Sequence, residues 1–264
     1  MSDETEVETG RLQQTTFKQL FDAGVLPSGH TFELMPDTVD IALRVSEVGD
    51  ALPWSKKALQ AYIVAKNIGG HELHDEGLGA EFIHGMLDID VIFLSLAWTA
   101  QLNGMALKLS EGVPCPGCNA PFREVPFGNI VIFSRPAPVS GPDATFRLDK
   151  VDDAVLPPSL KNGTFFLTDP TWRAARQNVS EKSWSIPEVV AIHRALSCLR
   201  FSSNGNKGAP RAVSFKAEGM KLSTAVVAGF VRKLDEFVPH FHPTLDLVCK
   251  ECEQVSVVPF EQGL

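Results

Sequence analysis

The sequence predicts an α+β fold: two mainly helical halves with short β-strands, joined by a ribbon-like module of two Cys-x-x-Cys knuckles. Three observations predict it. Several stretches repeat apolar residues at helical spacing. Short alternating or β-branched runs lie between them. Cys115-Pro-Gly-Cys118 and Cys249-Lys-Glu-Cys252 each sit between two such runs, where a hairpin would turn. The expected layout is a disordered tail over 1–12, an N-terminal half over 13–133 with the first knuckle, a linker over 134–162, and a C-terminal half over 163–264 with the second knuckle.

Residues 1–12 are charged and poor in apolar groups, so they cannot support a core. Thr16 to Ala23 reads as a short helix, and Leu26-Pro-Ser-Gly29 as a turn. Val39 to Val45 alternates apolar residues with polar or small ones and reads as a half-buried strand. Between Pro53 and Ile68, Leu59, Tyr62, Ile63 and Ala65 form a helical stripe that Gly69-Gly70 ends. Glu81 to Met86 also reads as helical. Asp88 to Gly104 is apolar nearly all round, the mark of a buried helix. Asp88 or Asp90 would cap its start, and Asn103-Gly104 would stop it. Met105 to Ser110 alternates as a strand and runs into the first knuckle.

Ile130 to Phe133 is a further strand. Ser134 to Pro142 and Leu156-Pro-Pro-Ser159 are rich in proline and mark the linker. The second half opens with the strand Thr164 to Leu167. Asp169-Pro170 suggests a helix start. Ser185 and Glu188 have the spacing of a capping box before a helix over Val189 to Leu199. Ser202 to Gly208 reads as a polar loop. Ser223 caps a helix to about Phe237, with Val226, Val227, Phe230, Val231 and Leu234 on its apolar face. Strands Leu245 to Val248 and Val255 to Val258 enclose the second knuckle. No repeat has a fixed period, although each half runs helix, strand, knuckle, strand.

The cysteines carry the strongest chemical signal. A tight turn with thiolates at its first and fourth positions aims both sulfurs at one point. Two such turns complete a tetrahedral sulfur site, which suits zinc. The candidate ligands are therefore Cys115, Cys118, Cys249 and Cys252, with Zn²⁺ as the cofactor and a zinc-ribbon-like module as the result. Asn119 tolerates the positive φ often needed just past a knuckle, and Glu253 is a poorer fit there. Closing a loop of roughly 130 residues costs about 4 kcal/mol, against on the order of 10–16 kcal/mol from structural zinc in small peptides. Free or packing thiols and a redox pair are the alternatives. A reactive Cys-x-x-Cys usually opens a helix, whereas Pro121 and Pro126 follow one unit and a β-run the other. Cys198 stands alone among apolar residues and reads as core.

Other constellations are weaker. His71-Glu-Leu-His74 lacks the i, i+4 spacing of a zinc protease and reads as a solvated loop. His240-Phe-His242 reads as an exposed turn beside Pro243, with an auxiliary role at the metal as the alternative. The chain lacks a Walker loop and a Gly-x-Ser-x-Gly elbow, and nothing assembles a nucleophile, base and acid. The net charge of −8 disfavours phosphate backbones. The longest apolar run, Val91 to Trp98, is too short for a bilayer. An acidic, polar start unlike a secretory signal points to the cytoplasm and reduced thiols.

The order of these features resembles a family of tail-baseplate proteins, the baseplate hub or hub-assembly proteins of T-even-like contractile-tailed phages and related contractile injection systems. The likeness rests on Leu26-Pro-Ser-Gly29 followed by Val39 to Val45. It continues with Asp88 through Leu94 and Leu96, the Gly104 turn and Cys115-Pro-Gly-Cys118. It ends with Leu234-Asp-Glu-Phe-Val-Pro239, Leu245-Asp-Leu-Val-Cys-Lys-Glu-Cys252 and Pro259-Phe260. Glu253 stands where the family usually has glycine, and the 134–162 linker is longer than the family leads one to expect. The resemblance implies a non-enzymatic structural or assembly role, with the four cysteines as zinc ligands. Its partners would be other baseplate or tail proteins, with no nucleic acid, membrane or small-molecule substrate. The chain would be cytoplasmic during assembly and then part of the virion or particle. A nucleic-acid or transcription adaptor, a thiol oxidoreductase and a zinc hydrolase are the competing classes.

Overall fold

A computed structural model describes residues 12–48, 53–139, 145–148, 151–152, 155–176, 187–203 and 209–259. Within them the α+β class holds, with eight helices and several short antiparallel strands. Residues 1–11 of the expected 1–12 tail, the capping serine Ser185 and residues 204–208 of the expected 202–208 loop lie outside the described residues, and Ser202 and Ser203 belong to the strand Leu199–Ser203.

The helix Asp88–Asn103 is the axis of the fold, because almost every face of it meets apolar neighbours. Phe93 packs on Phe17 and Phe32, with ring centroids 4.6 and 5.7 Å apart, and Phe17 packs in turn on Phe127 at 4.7 Å. Trp98, farther along, meets Ile41, Ile63 and Val64 in a separate small cluster. The main cluster also takes Trp172, Phe241, Leu245 and Leu247 from late in the chain. A second cluster sits around the sheet formed by Thr145–Arg147, Gly163–Thr168, Leu199–Ser203 and Arg211–Ala212. The helices Pro187–Cys198 and Thr224–Phe237 cover it, with Phe165, Phe201 and Phe230 at its centre. Leu148, Leu156 and Leu160, from within 134–162, are built into this second cluster.

Two polar contacts join the clusters. Arg194 ion-pairs with Asp88 at 2.9 Å and donates to the Pro239 carbonyl. Arg135 grips Asp169 with two bonds of 2.7 Å and also donates to the Phe237 carbonyl. Both arginines are buried, so each charge needs its partner there. A three-stranded sheet of Gln13–Thr16, Val131–Ser134 and His240–Phe241, with Val131–Ser134 in the middle, gathers distant parts of the chain.

Several elements form as their sequence dictates. Thr16 caps Phe17–Ala23 with a full capping box to Gln19, and Gly24 ends that helix at φ 63°. Ser223 caps Thr224–Phe237, whose Val227, Phe230 and Leu234 are buried. Gly79–Gly85 supplies the short helix expected near Glu81, and Gly29 donates to the Leu26 carbonyl in the expected turn.

Four expectations need correction. Val39–Ser46 is a helix, not a strand. Thr38 caps it through the Ile41 amide, and the buried set is Ile41 and Val48 with Val45 beside them, a helical spacing. Val39 and Leu43, which alternation would also bury, are 77% and 52% exposed. The second correction is at Ala65–Ile68, which leaves the helix Pro53–Val64 to pair as a strand with Phe32–Leu34 and His71–Glu72. Gly69-Gly70 therefore ends a strand, at φ 60° and 90°. Third, Asp169 caps no helix. Thr171 accepts from Ala174 to start Trp172–Arg176, and Asp169 is taken by Arg135.

The fourth correction concerns Asp88 and Asp90. The helix cap is Leu87, with no side-chain bond. Asp88 faces Arg194, and Asp90 accepts the Ser28 amide at 3.0 Å. Burial, opposed by the hydrogen bonds from Ser28 and aided by the charge of Asp88, raises the Asp90 carboxyl to about 7.

Two outcomes follow from these placements. Val39→Asp should leave the urea midpoint nearly unchanged, whereas Ile41→Asp should cost about 3 kcal/mol or more. Equal losses would restore the strand. The folded state also holds a proton on Asp90 that the unfolded chain releases near pH 4. Asp90 should therefore lower stability as pH rises from about 4 to about 7, with no further loss above. Asp90→Asn should remove that slope, which urea melts of both proteins across the range would measure.

Candidate metal centre

Each knuckle is the tip of an antiparallel hairpin. Ala106–Pro114 pairs with Pro121–Pro126, and Thr244–Val248 pairs with Val255–Pro259. The first hairpin follows the central helix through Gly104, at φ 76°. The second follows His240–Phe241, already fixed against Val131–Ser134. In Thr244–Val248 the side chains alternate, so Leu245 and Leu247 point into the main cluster and Cys249 continues on their face. Phe122, Val125 and Cys115 enter the same cluster from the first hairpin. The Asn129 side chain donates to the Asp246 carbonyl at 2.8 Å and ties the two units together.

The two turns have the same backbone pattern. Cys115 donates to the Ala120 carbonyl and accepts from Asn119, and Cys249 donates to the Gln254 carbonyl and accepts from Glu253. Asn119 and Glu253 both take positive φ, at 63° and 57°. Glu253, the poorer fit by side chain, is nonetheless held in the conformation that a knuckle needs. The first cysteine of each turn is buried and the second exposed. A Cβ on Gly117 would meet the Gln254 side chain at 1.8 Å, so the turns fit closely at their tips.

The four sulfurs come together across 131 and 137 residues of sequence. Cys118 lies 3.5 Å from Cys249, and Cys115 lies 3.7 Å from Cys252. All four lie within 4.8 Å of one another. A disulfide needs a bond of about 2.05 Å, so these are thiols in contact. A tetrahedral ion with metal–sulfur bonds of about 2.3 Å separates its sulfurs by about 3.8 Å. The donor set and spacing thus fit a four-coordinate ion, with Cys115, Cys118, Cys249 and Cys252 as the residues that would hold it.

Local electrostatics favour thiolate at one corner. The amides of Cys118 and Gly117, with the Cys249 and Cys252 thiols, bring Cys115 down to about 6 despite its burial. At Cys118 the Ala120 amide favours the thiolate, but the Cys249 and Cys252 thiols outweigh it and push the group up to about 12. Four thiolates this close repel one another, and a bound cation is what lets all four ionise. Cys198 is apart from the group and buried, and burial pushes it to about 12.

The histidines have other partners. His71 pairs with Glu76, and His74 packs on Tyr62. His71 is in a two-residue strand, not a loop. His240 and His242 lie on Phe133, with Nδ1 bonds to their own neighbours at Val238 and Thr244. Neither is in the sulfur group. The seam bond from Asn129 and the packing of Gln254 on Gly117 had no motif to reveal them.

The chain matches no protein-family profile, no curated protein and no solved structure. Among the described residues no helix is long and apolar enough to cross a membrane.

The positive φ at Glu253 gives a direct test of the second turn. Glu253→Gly should stabilise the metal-loaded protein by about 1 kcal/mol, because glycine adopts that conformation without strain. Glu253→Val should cost at least as much. Thermal melts of the three proteins would show the order, and a neutral or reversed order would refute the knuckle geometry.

Proposed function

We propose that the four cysteines hold one structural zinc ion as thiolates, and that the chain is a structural or assembly component of a contractile-tail baseplate. The observation behind the zinc assignment is the meeting of four sulfurs from two hairpin tips. Two hairpins joined in this way make a zinc-ribbon-like module. A tetrahedron filled by four thiolates leaves no position for water, so the role proposed is architectural and non-catalytic. Both knuckles turn between strands rather than open a helix, which disfavours a thiol oxidoreductase.

The baseplate assignment, to a phage tail or a related injection particle, rests on the resemblance in the order of elements. The central helix, the Gly104 turn and the first hairpin, then the late second hairpin, support it. Val39–Ser46, helical rather than extended, takes one feature away from it.

Purified protein should contain one zinc per chain and lack the visible absorption of an iron–sulfur site. Cys249→Ser should lose that zinc and destabilise the whole fold by several kcal/mol, on the order expected for a structural site. A variant that stays folded and zinc-replete would overturn the staple. In a strain that makes contractile particles, deleting the coding sequence should leave tails without complete baseplates. Intact, contractile particles would exclude the baseplate role.

A further inference from the structure

A cleft of about 530 Å³ opens beside the start of the central helix, away from the sulfurs. Asp90 is in its lining. It is 2% exposed, and its Oδ1 accepts the Ser28 amide. The other charged groups of the lining already have partners. Arg135 is bound to Asp169 by both terminal nitrogens. Glu81 takes Arg173 and His84. Among the described residues no cation forms an ion pair with Asp90. Glu81 and Asp169 are thus each matched by an arginine, whereas the deeply buried Asp90 has the hydrogen bonds of Ser28 and the charge of Arg135 nearby but no ion pair.

One side of the wall is apolar, chiefly Ile68, Phe82, Met86 and Leu87, beside the imidazoles of His30 and His71. A phosphate or carboxylate ligand would face the Asp90 carboxylate. A plain hydrocarbon would leave the carboxylate unpaired. A cation with a carbon chain satisfies both parts of the wall. We propose that this cleft binds a ligand bearing an alkylammonium group, with the ammonium on Asp90 and the chain against Phe82 and Met86.

Binding then requires the Asp90 carboxylate, so it is linked to pH. The charged and titratable groups around Asp90 are Asp88 on its own helix, His30 after the Ser28 turn, His71 from its strand, Glu81, and the Arg135–Asp169 pair. His30 is held toward its neutral form by burial and by the charge of His71.

The test is calorimetric titration of the full chain with n-butylammonium and, separately, with Nα-acetyl-lysine methylamide. Affinity should rise roughly tenfold or more between about pH 5.5 and about pH 8, as the carboxylate forms. Asp90→Asn preserves the shape and should lose both the binding and the pH profile. Phe82→Ala should weaken binding severalfold and keep the profile. Stronger binding of butylammonium would assign the source to a free amine, and stronger binding of the lysine amide to a side chain of a partner protein. The site is refuted if neither probe binds, if Asp90→Asn binds as well as the parent, or if affinity is independent of pH.

Discussion

Returning the chain from residue 118 to residue 249 closes a loop of 131 residues, at an entropic cost of about 4 kcal/mol. Core packing closes the same loop that the sulfurs close. Leu245 and Leu247 pack in the same cluster as Phe122, Val125 and Phe127, so the hairpin bases are held together by packing as well as at their tips. The Asn129 bond to Asp246 fixes one hairpin unit against the other. Upstream, His240–Phe241 reaches its place by pairing with Val131–Ser134. A metal at the tips would then tighten an arrangement that packing also defines.

Two chemical environments follow from this scaffold. At the hairpin tips, four soft donors converge and suit an ion held for architecture. At the start of the central helix, a buried carboxyl group without an ion pair faces a half-apolar cleft, where a cation would favour its charged form. The two differ in what they ask of the fold. The sulfur group needs two turns in one backbone conformation. At the cleft Arg135 is tied to Asp169 and forms no ion pair with Asp90, although its charge still favours the Asp90 carboxylate.

The cysteine site was legible because its information is local. Four residues in two turns announce both donors and geometry, and flanking strands can be read from the same short windows. The helices Asp88–Asn103 and Thr224–Phe237 were legible for a related reason, since their length and stop or cap signals agree. Val39–Ser46 misled because four alternating apolar residues imitate a strand. The informative residues were Thr38 before it and Val48 after it, outside the window of alternation. Ala65–Ile68 misled because a helix stop and a hairpin turn both use Gly69-Gly70. Asp88, Asp90 and Asp169 sit where caps occur, but their partners lie far off in sequence. Such long-range pairing leaves no local pattern, and neither does the seam at Asn129.

Whether these four cysteines bind one zinc ion as a complete tetrahedron decides the role of the sulfur group. Zinc-edge X-ray absorption of the purified protein tests it most directly. The expected result is four sulfur neighbours at about 2.3 Å, with no nitrogen or oxygen bound to the zinc. A first shell with fewer sulfurs, with nitrogen or oxygen ligands, or no bound zinc at all would contradict it.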